Sequence, residues 1–381
     1  MSSKTLIWSY KKRTNQKKVF YLTDKDINHL TRVLNQYKLT PESFDEVRVE
    51  FLLDREPLIR YTIKELDILL RINGKFIIKS TKNSLHGNSI RSNSQIKHEF
   101  SLSTNGRYKL LTEESKDRYL QQSYLKVSSK LLPYDNINKW SFGIITNGKN
   151  QKQLDQLINS IVAQNIPEFE IIVCGEYQSK HPSVKVLSDV EIISDIRAPI
   201  TLKKNKIVND AKFENLFILH DRYSLPFNWF KRMKDYGNYF ELLIIPNIGP
   251  SGKRVNDYIK FKGFPDEIAH FKSVSSSMQY YKWSNQLYSQ GGILIIKKTI
   301  YNQVALDNRL FWGELEDVQF SKIIQLKGFF TYLDINNEVY TTANRLRERN
   351  LSRIYFLMKW LKDIYFGFKN LIMHYRNRYD I

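Results

Sequence analysis

Between residues 142 and 298 the chain repeats a short, almost uninterrupted apolar segment: FGIIT (142–146), EIIVCG (170–175), VKVLS (184–188), VEIIS (190–194), NLFILH (215–220), ELLIIPNI (241–248) and GILIIKK (292–298). A strand wetted on one face alternates apolar and polar residues, whereas one that is apolar throughout is covered on both faces. The segments between them read as helices. In QLDQLINSIVAQ (153–164), Leu154, Leu157, Ile158, Ile161 and Val162 form one stripe at helical spacing, and Pro167 stops it. Strand and helix in alternation predict an α/β fold, a mostly parallel, doubly wound sheet flanked by helices. Such sheets bind ligands beyond the carboxyl ends of their strands. Thr146, Asn147, Gly175, Glu176, Asp195, His220 and Asp221 fall at such ends. His220-Asp221-Arg222 is a costly polar tip on a buried strand unless something uses it.

A chain of 381 residues is long for one domain, and its two parts read differently. Residues 1–135 are charged and mixed. Within them IKELDILLRINGKFIIKS (63–80) predicts helix, Asn-Gly turn and strand. Residues 81–97 predict a polar loop, and HEFSLSTNGRYKLL (98–111) a hairpin turning at Asn105-Gly106. LLPYDNINKW (131–140) reads as a linker, 136–345 as the main α/β domain, and 346–381 as an appended basic amphipathic helix. In that helix Leu351, Ile354, Met358, Leu361, Tyr365, Phe368, Ile372 and Tyr375 repeat at steps of three and four, with Lys359, Lys362, Lys369, Arg376 and Arg378 supplying charge. It suits an anionic membrane surface, and equally a dock on the protein's own core or on a second copy in a homodimer.

Fifty-nine Lys and Arg against 39 Asp and Glu leave a net charge of +20, which draws the chain to polyanions: nucleic acid, anionic lipid or phosphorylated substrates. The basic residues are scattered and no nucleic-acid motif is present, so nucleic acid is not the expected partner, though a basic nucleic-acid-binding protein is the rival class. The single cysteine, Cys174, excludes a disulfide framework and a cysteine zinc site, and fits a reducing cytoplasm. The opening MSSKTLIWSYKKR lacks a signal peptide's apolar region, and no run is long enough to span a bilayer. The expected location is cytoplasmic, or peripheral on the inner face of the membrane.

Three segments in order resemble the family 2 glycosyltransferases of the GT-A fold. FGIITNGKNQKQLDQLINSIVAQNIPEFEIIVCGE is similar to that family's opening strand, turn, helix and second strand. KKNKIVNDAKFENLFILHDRYSLPFNW lies without a gap on its run from an Arg-Asn pair to Asp-x-Asp, Pro and Trp, with Lys204-Asn205 in the place of the pair and His220-Asp221-Arg222 in that of Asp-x-Asp. GGILIIKKTIYNQVALDNRLFWGELEDVQFSKIIQLKG (291–328) resembles the carboxyl-terminal motif shared with galactosyltransferases. The resemblance implies transfer of a sugar from a nucleotide donor, expected to be UDP-linked, to a glycan or lipid-linked glycan acceptor, by one inverting displacement. It implies Asp317 as catalytic base and Glu316 as the acceptor contact. Thr146, Asn147, Glu176, Asp195, Lys204, Asn205, Asp221, Arg222, Gly291, Gly292 and Trp312 are the nucleotide-sugar contacts. An inactive GT-A-like scaffold is the alternative, given the His-Asp-Arg tip.

The tip leaves the metal question open. Arginine cannot ligate a cation, so Arg222, with Lys203 or Lys204, would itself neutralise the diphosphate. Alternatively His220 and Asp221 would hold Mn or Mg with phosphate oxygens and water. The acids Glu314, Glu316 and Asp317 also suit the first turn of a helix, where the dipole favours them. In the N-terminal part, PLIRYTIKELDILLRINGKFII is similar to the late part of a class I methyltransferase. The glycine-rich nucleotide loop of that family is missing, which implies a non-catalytic accessory domain.

Overall fold

The computed structural model describes residues 19–22, 39–56, 58–82, 91–129, 136–179, 181–188, 198–255, 257–260, 276–280, 287–342 and 364. Asp195, VEIIS (190–194), residues 131–135 of the linker and all of the C-terminal segment except residue 364 lie outside them.

Strand β1 (Val19–Leu22), β2 (Phe44–Glu50), helix α1 (Ile59–Leu69), β3 (Leu70–Thr81), α2 (Asn93–Thr104), β4 (Tyr108–Ser115) and β5 (Tyr119–Lys126) build the N-terminal unit. Its sheet runs β1-β2-β3-β5-β4, with the first three strands parallel and β5 antiparallel to both neighbours. The hairpin expected at Asn105-Gly106 is instead a helix followed by a strand, and the helix begins inside the segment expected to be a loop. The Ser92 hydroxyl accepts the Gln95 N–H while the Gln95 side chain accepts the Ser92 N–H, a capping box that starts α2. At the other end Asn105 is left-handed at φ 49°, so the Asn-Gly pair caps a helix here and does not turn a hairpin.

The larger unit carries β6 (Lys139–Ile145), α3 (Gln151–Val162), β7 (Glu168–Cys174), β8 (Val184–Leu187), α4 (Ile200–Asp210), β9 (Asn215–His220), β10 (Tyr223–Ser224), α5 (Trp229–Tyr236), β11 (Leu242–Ile244), β12 (Asn247–Ile248), β13 (Tyr258–Lys260), β14 (Ser276–Ser277), β15 (Leu287–Ser289), β16 (Ile293–Lys297), α6 (Lys298–Val304), α7 (Glu316–Leu326), β17 (Thr331–Leu333) and β18 (Val339–Thr341). Its seven-stranded sheet runs β17-β11-β16-β9-β6-β7-β8. The fold class is the mixed α/β architecture expected from the sequence. β16 is the exception to parallel pairing, running antiparallel to both β9 and β11. That reversal matters for the site, because it sets the start of β16 beside the end of β9.

Both faces of the sheet are buried, as uninterrupted apolar strands require. One face packs Trp140, Phe142, Phe217 and Trp229, with the Trp229 ring 5.1 Å from Trp140 and 5.2 Å from Phe217. The other packs Ile145, Ile172, Leu216 and Ile218 against Ile207 and Val208 of α4. The first core is continuous with that of the N-terminal unit: Phe76, Phe100, Tyr61, Phe330 and Tyr332 belong to the same cluster as Trp140 and Trp229. Among the described residues, no helix is long and apolar enough to cross a membrane.

Candidate active site

The site is assembled where three chain segments meet. β6 and β9 are parallel neighbours, so Thr146 and Asp221 follow their last residues side by side. The Thr146 hydroxyl donates to Asp221 Oδ2 at 2.7 Å, and both side chains are buried. Antiparallel β16 begins next to the end of β9, and the His220 N–H donates to the Gly292 carbonyl at 3.2 Å. The Gly291 N–H in turn donates to Asp317 Oδ2 at 2.8 Å. The strand tip and the acid cluster of α7 are far apart in sequence, yet the Gly291-Gly292 pair bonds to both and brings them together.

The two glycines leave the room this approach needs. A Cβ on Gly291 would stand 2.8 Å from Glu316 Oε1, and one on Gly292 would stand 2.6 Å from the Tyr223 hydroxyl and 3.1 Å from Arg222 Nη2. Helix α4 supplies two buried cations. Lys203 Nζ donates to the Thr146 carbonyl at 2.7 Å and Lys204 Nζ to the Gly291 carbonyl at 2.6 Å. Consecutive lysines thus tie the β6 end and the β16 start to one helix.

The electrostatics are unusual for carboxylates. Burial, and then the neighbouring Asp317, push Glu316 up to about 7, while Lys204 pulls the other way. Asp317 is also raised by burial, against Lys204 and the N–H groups of Gly291 and Val318. Burial lowers Lys204, the two acids oppose that, and Arg222 adds to it. Arg222 is half-buried, its guanidinium 5.4 Å from the centre of the Tyr223 ring, and its Nε is buried without a hydrogen-bond partner among the described residues.

The other sequence candidates divide. Glu176 is exposed and packs beside the turn after β6: Gln151 Nε2 bridges the Gly148 and Glu176 carbonyls at 2.9 and 3.0 Å. Asn147 is exposed, and its side chain accepts the Lys149 N–H at 3.1 Å, a local turn contact. Trp312 is 54% exposed and its N–H donates to the Ala198 carbonyl just before α4. Asn205 points elsewhere. Its amide donates to the Leu306 carbonyl and to Asn308 Oδ1 at 2.7 and 2.6 Å, so it braces the loop after α6. Tyr223, whose hydroxyl lies against Gly292, is a further site residue, and Gln151 is a brace for the turn after β6. Tyr223 directly follows the polar tip, which was the available signal; Gln151 had none.

Among the described residues no group of three or more His, Cys, Asp or Glu side chains could hold a metal ion. His220 and Asp221 are the donors at the tip, and one Asp221 oxygen already accepts the Thr146 hydroxyl. Arg222 follows them directly and acts electrostatically on Lys204. Lys204 also interacts with Glu316 and Asp317, so the tip sets two cations beside the acids, and an anion there would meet Arg222 and Lys204.

No protein-family model matches the chain, and no curated protein does. Solved structures similar to it include S. aureus TarS 1-349, at 15% identity over 55% of this chain and 62% of that chain with a TM-score of 0.36. The same TarS 1-349 in complex with UDP matches at 16% identity over 54% and 60%, with a TM-score of 0.37. GalNAc-T7 with UDP, GalNAc and Mn2+ matches at 15% identity over 54% and 44%, with a TM-score of 0.40. The chain spans less than two thirds of each of these structures.

Proposed function

We propose that the chain is a glycosyltransferase that moves a sugar from a nucleotide donor, UDP-linked by the resemblance read from the sequence, to a glycan or lipid-linked glycan acceptor. The observation that carries this reading is the Gly291 N–H bond to Asp317, which holds the acid pair, Glu316 buried and Asp317 half-buried, against the ends of β9 and β16. Glycosyl transfer needs a base for the acceptor hydroxyl, positive charge for the departing diphosphate, and both held in line. Asp317 takes the acceptor proton as the acceptor oxygen bonds to the anomeric carbon. The bond from that carbon to the diphosphate breaks on the opposite face, and the nucleoside diphosphate leaves with the electron pair. A base whose pKa burial has raised suits this task, because it accepts a proton more readily than an ordinary carboxylate. Arg222 and Lys204 supply the positive charge, and no step is assigned to Mn or Mg. Glu316 contacts the acceptor and shares the titration of Asp317.

The N-terminal unit is proposed as a non-catalytic accessory domain. Its order of three parallel strands followed by an antiparallel pair supports the methyltransferase likeness.

The test is a screen of nucleotide sugars for turnover and stabilisation, with Mn or with EDTA, followed by Asp317→Asn. The variant is expected to lose transfer by about a thousandfold or more while binding UDP within about threefold of the parent. Equal turnover in Asp317→Asn would remove Asp317 from the mechanism, and absence of any nucleotide-sugar turnover or stabilisation would sink the transferase reading.

A further inference from the structure

We infer that the N-terminal unit positions the acid-bearing helix of the site, with Arg60 as the positioning residue. The activity part of this inference rests on the transferase reading; the mechanical part does not.

Helix α7 carries Glu316 and Asp317 in its first turn, but that end has no side-chain cap, and its N-cap residue Leu315 is left-handed at φ 62°. The Gly291 N–H bond to Asp317 holds this end from within the larger unit, and the anchors from the N-terminal unit lie at the other end. Arg60 of α1 donates through Nη1 to the Gln325 carbonyl in the last turn of α7 at 2.7 Å. A cation there satisfies a terminal carbonyl and complements the helix dipole. The same guanidinium is held by Glu99 of α2, with Nε to Oε2 at 2.6 Å and Nη2 to Oε1 at 3.3 Å, so its direction is fixed from the N-terminal unit.

Contacts immediately beyond α7 repeat the pattern. Gly328, at φ 82°, lies so close to α2 that a Cβ there would stand 2.4 Å from the Leu102 carbonyl oxygen. Lys64 of α1 pairs with Glu241 at 2.7 Å, both fully buried, and Glu241 accepts the Phe330 N–H at 2.7 Å. Tyr61 packs on Phe330 and Tyr332, with ring centres 5.5 and 5.8 Å away. The N-terminal unit therefore grips the chain from the last turn of α7 into β17. A helix is a stiff rod rising about 1.5 Å per residue, so a shift at Gln325 is carried to Asp317 about 12 Å away.

The experiment compares the full chain with Arg60→Ala and Arg60→Lys, using three readouts: amide hydrogen exchange over residues 316–320, UDP affinity, and turnover of the best donor found in the screen. Arg60→Ala is expected to speed exchange in the first turn of α7 and to lower kcat about 10- to 100-fold. UDP affinity stays within about twofold, because Thr146 and Asp221 do not depend on the clamp, and Arg60→Lys recovers most of the loss. Unchanged exchange at 316–320 would overturn the inference. So would a proportional loss of UDP affinity and turnover, which marks general destabilisation. If Arg60→Ala does not fold, Glu99→Gln loosens the guanidinium without removing it and is read by the same criteria. A parent protein with no turnover refutes the transferase reading, and the exchange measurement then decides the clamp alone.

Discussion

At Glu316 and Asp317, burial favours the protonated acids and Lys204 favours the ionised ones. The pair titrates as a unit, so its apparent pKa belongs to both. With Glu316 pushed up to about 7, kcat/KM is expected to rise with pH through neutrality and level off above it. A pH-rate profile checks this, and a flat profile from pH 5 to 8 would exclude the pair as the base. Lys204→Met removes the cation that holds both acids down, so its acid limb should move to higher pH. Stability runs the opposite way. The folded pKa of Glu316 lies above its ordinary 4.5, so between about 4.5 and 7 the folded state binds more protons than the unfolded one. Stability contributed by this group is present below 4.5 and is lost as pH rises through 7. Glu316→Gln should therefore melt at a higher temperature than the parent at pH 8, by about 1–2 °C for each kcal/mol relieved, and show no such gain at pH 4.

At the scale of elements, much was legible because it depends on local pattern. The apolar runs gave β6, β7, β9 and β16, and the helical stripe at Leu154, Leu157, Ile158 and Ile161 gave α3, whose buried face is those four residues. Thr146 and Asp221 were legible as strand ends. That they bond to each other was not, because strand order is a long-range property. The antiparallel entry of β16 was equally hidden: an all-apolar strand reads the same in either direction. Asn105-Gly106 misled because left-handed residues cap helices as readily as they turn hairpins. The deciding signal was Ser92 with Gln95. Ser92→Ala removes that cap and should cost about 1 kcal/mol, lowering Tm by about 1–2 °C without changing UDP affinity. An unchanged Tm would mean that packing alone holds the start of α2.

At the scale of the whole molecule, composition changes near residue 135 while the apolar core runs across it. Apolar residues from both sides form one cluster, and Lys64 and Glu241 meet across the boundary with 2% exposure each. Removing one member of a buried pair strands the other charge and costs about 3–5 kcal/mol. Lys64 also donates to the Ser103 carbonyl, and Glu241 also accepts from Phe330, so each charge has a second partner that softens the loss. Lys64→Met and Glu241→Gln should each destabilise, and the double variant should lose less than the sum of the two by about 1–3 kcal/mol. Because the pair lies in the shared core, each substitution should move one unfolding transition common to both units. Denaturant unfolding followed by tryptophan fluorescence reports mainly the larger unit, whose sequence holds four of the six tryptophans, Trp140, Trp229, Trp283 and Trp312, and hydrogen exchange in β3 and β5 reports the N-terminal one. Separate transitions, or single-variant losses that simply add, would mean that the two units touch without depending on each other, and Arg60 would then have no rigid base from which to hold α7.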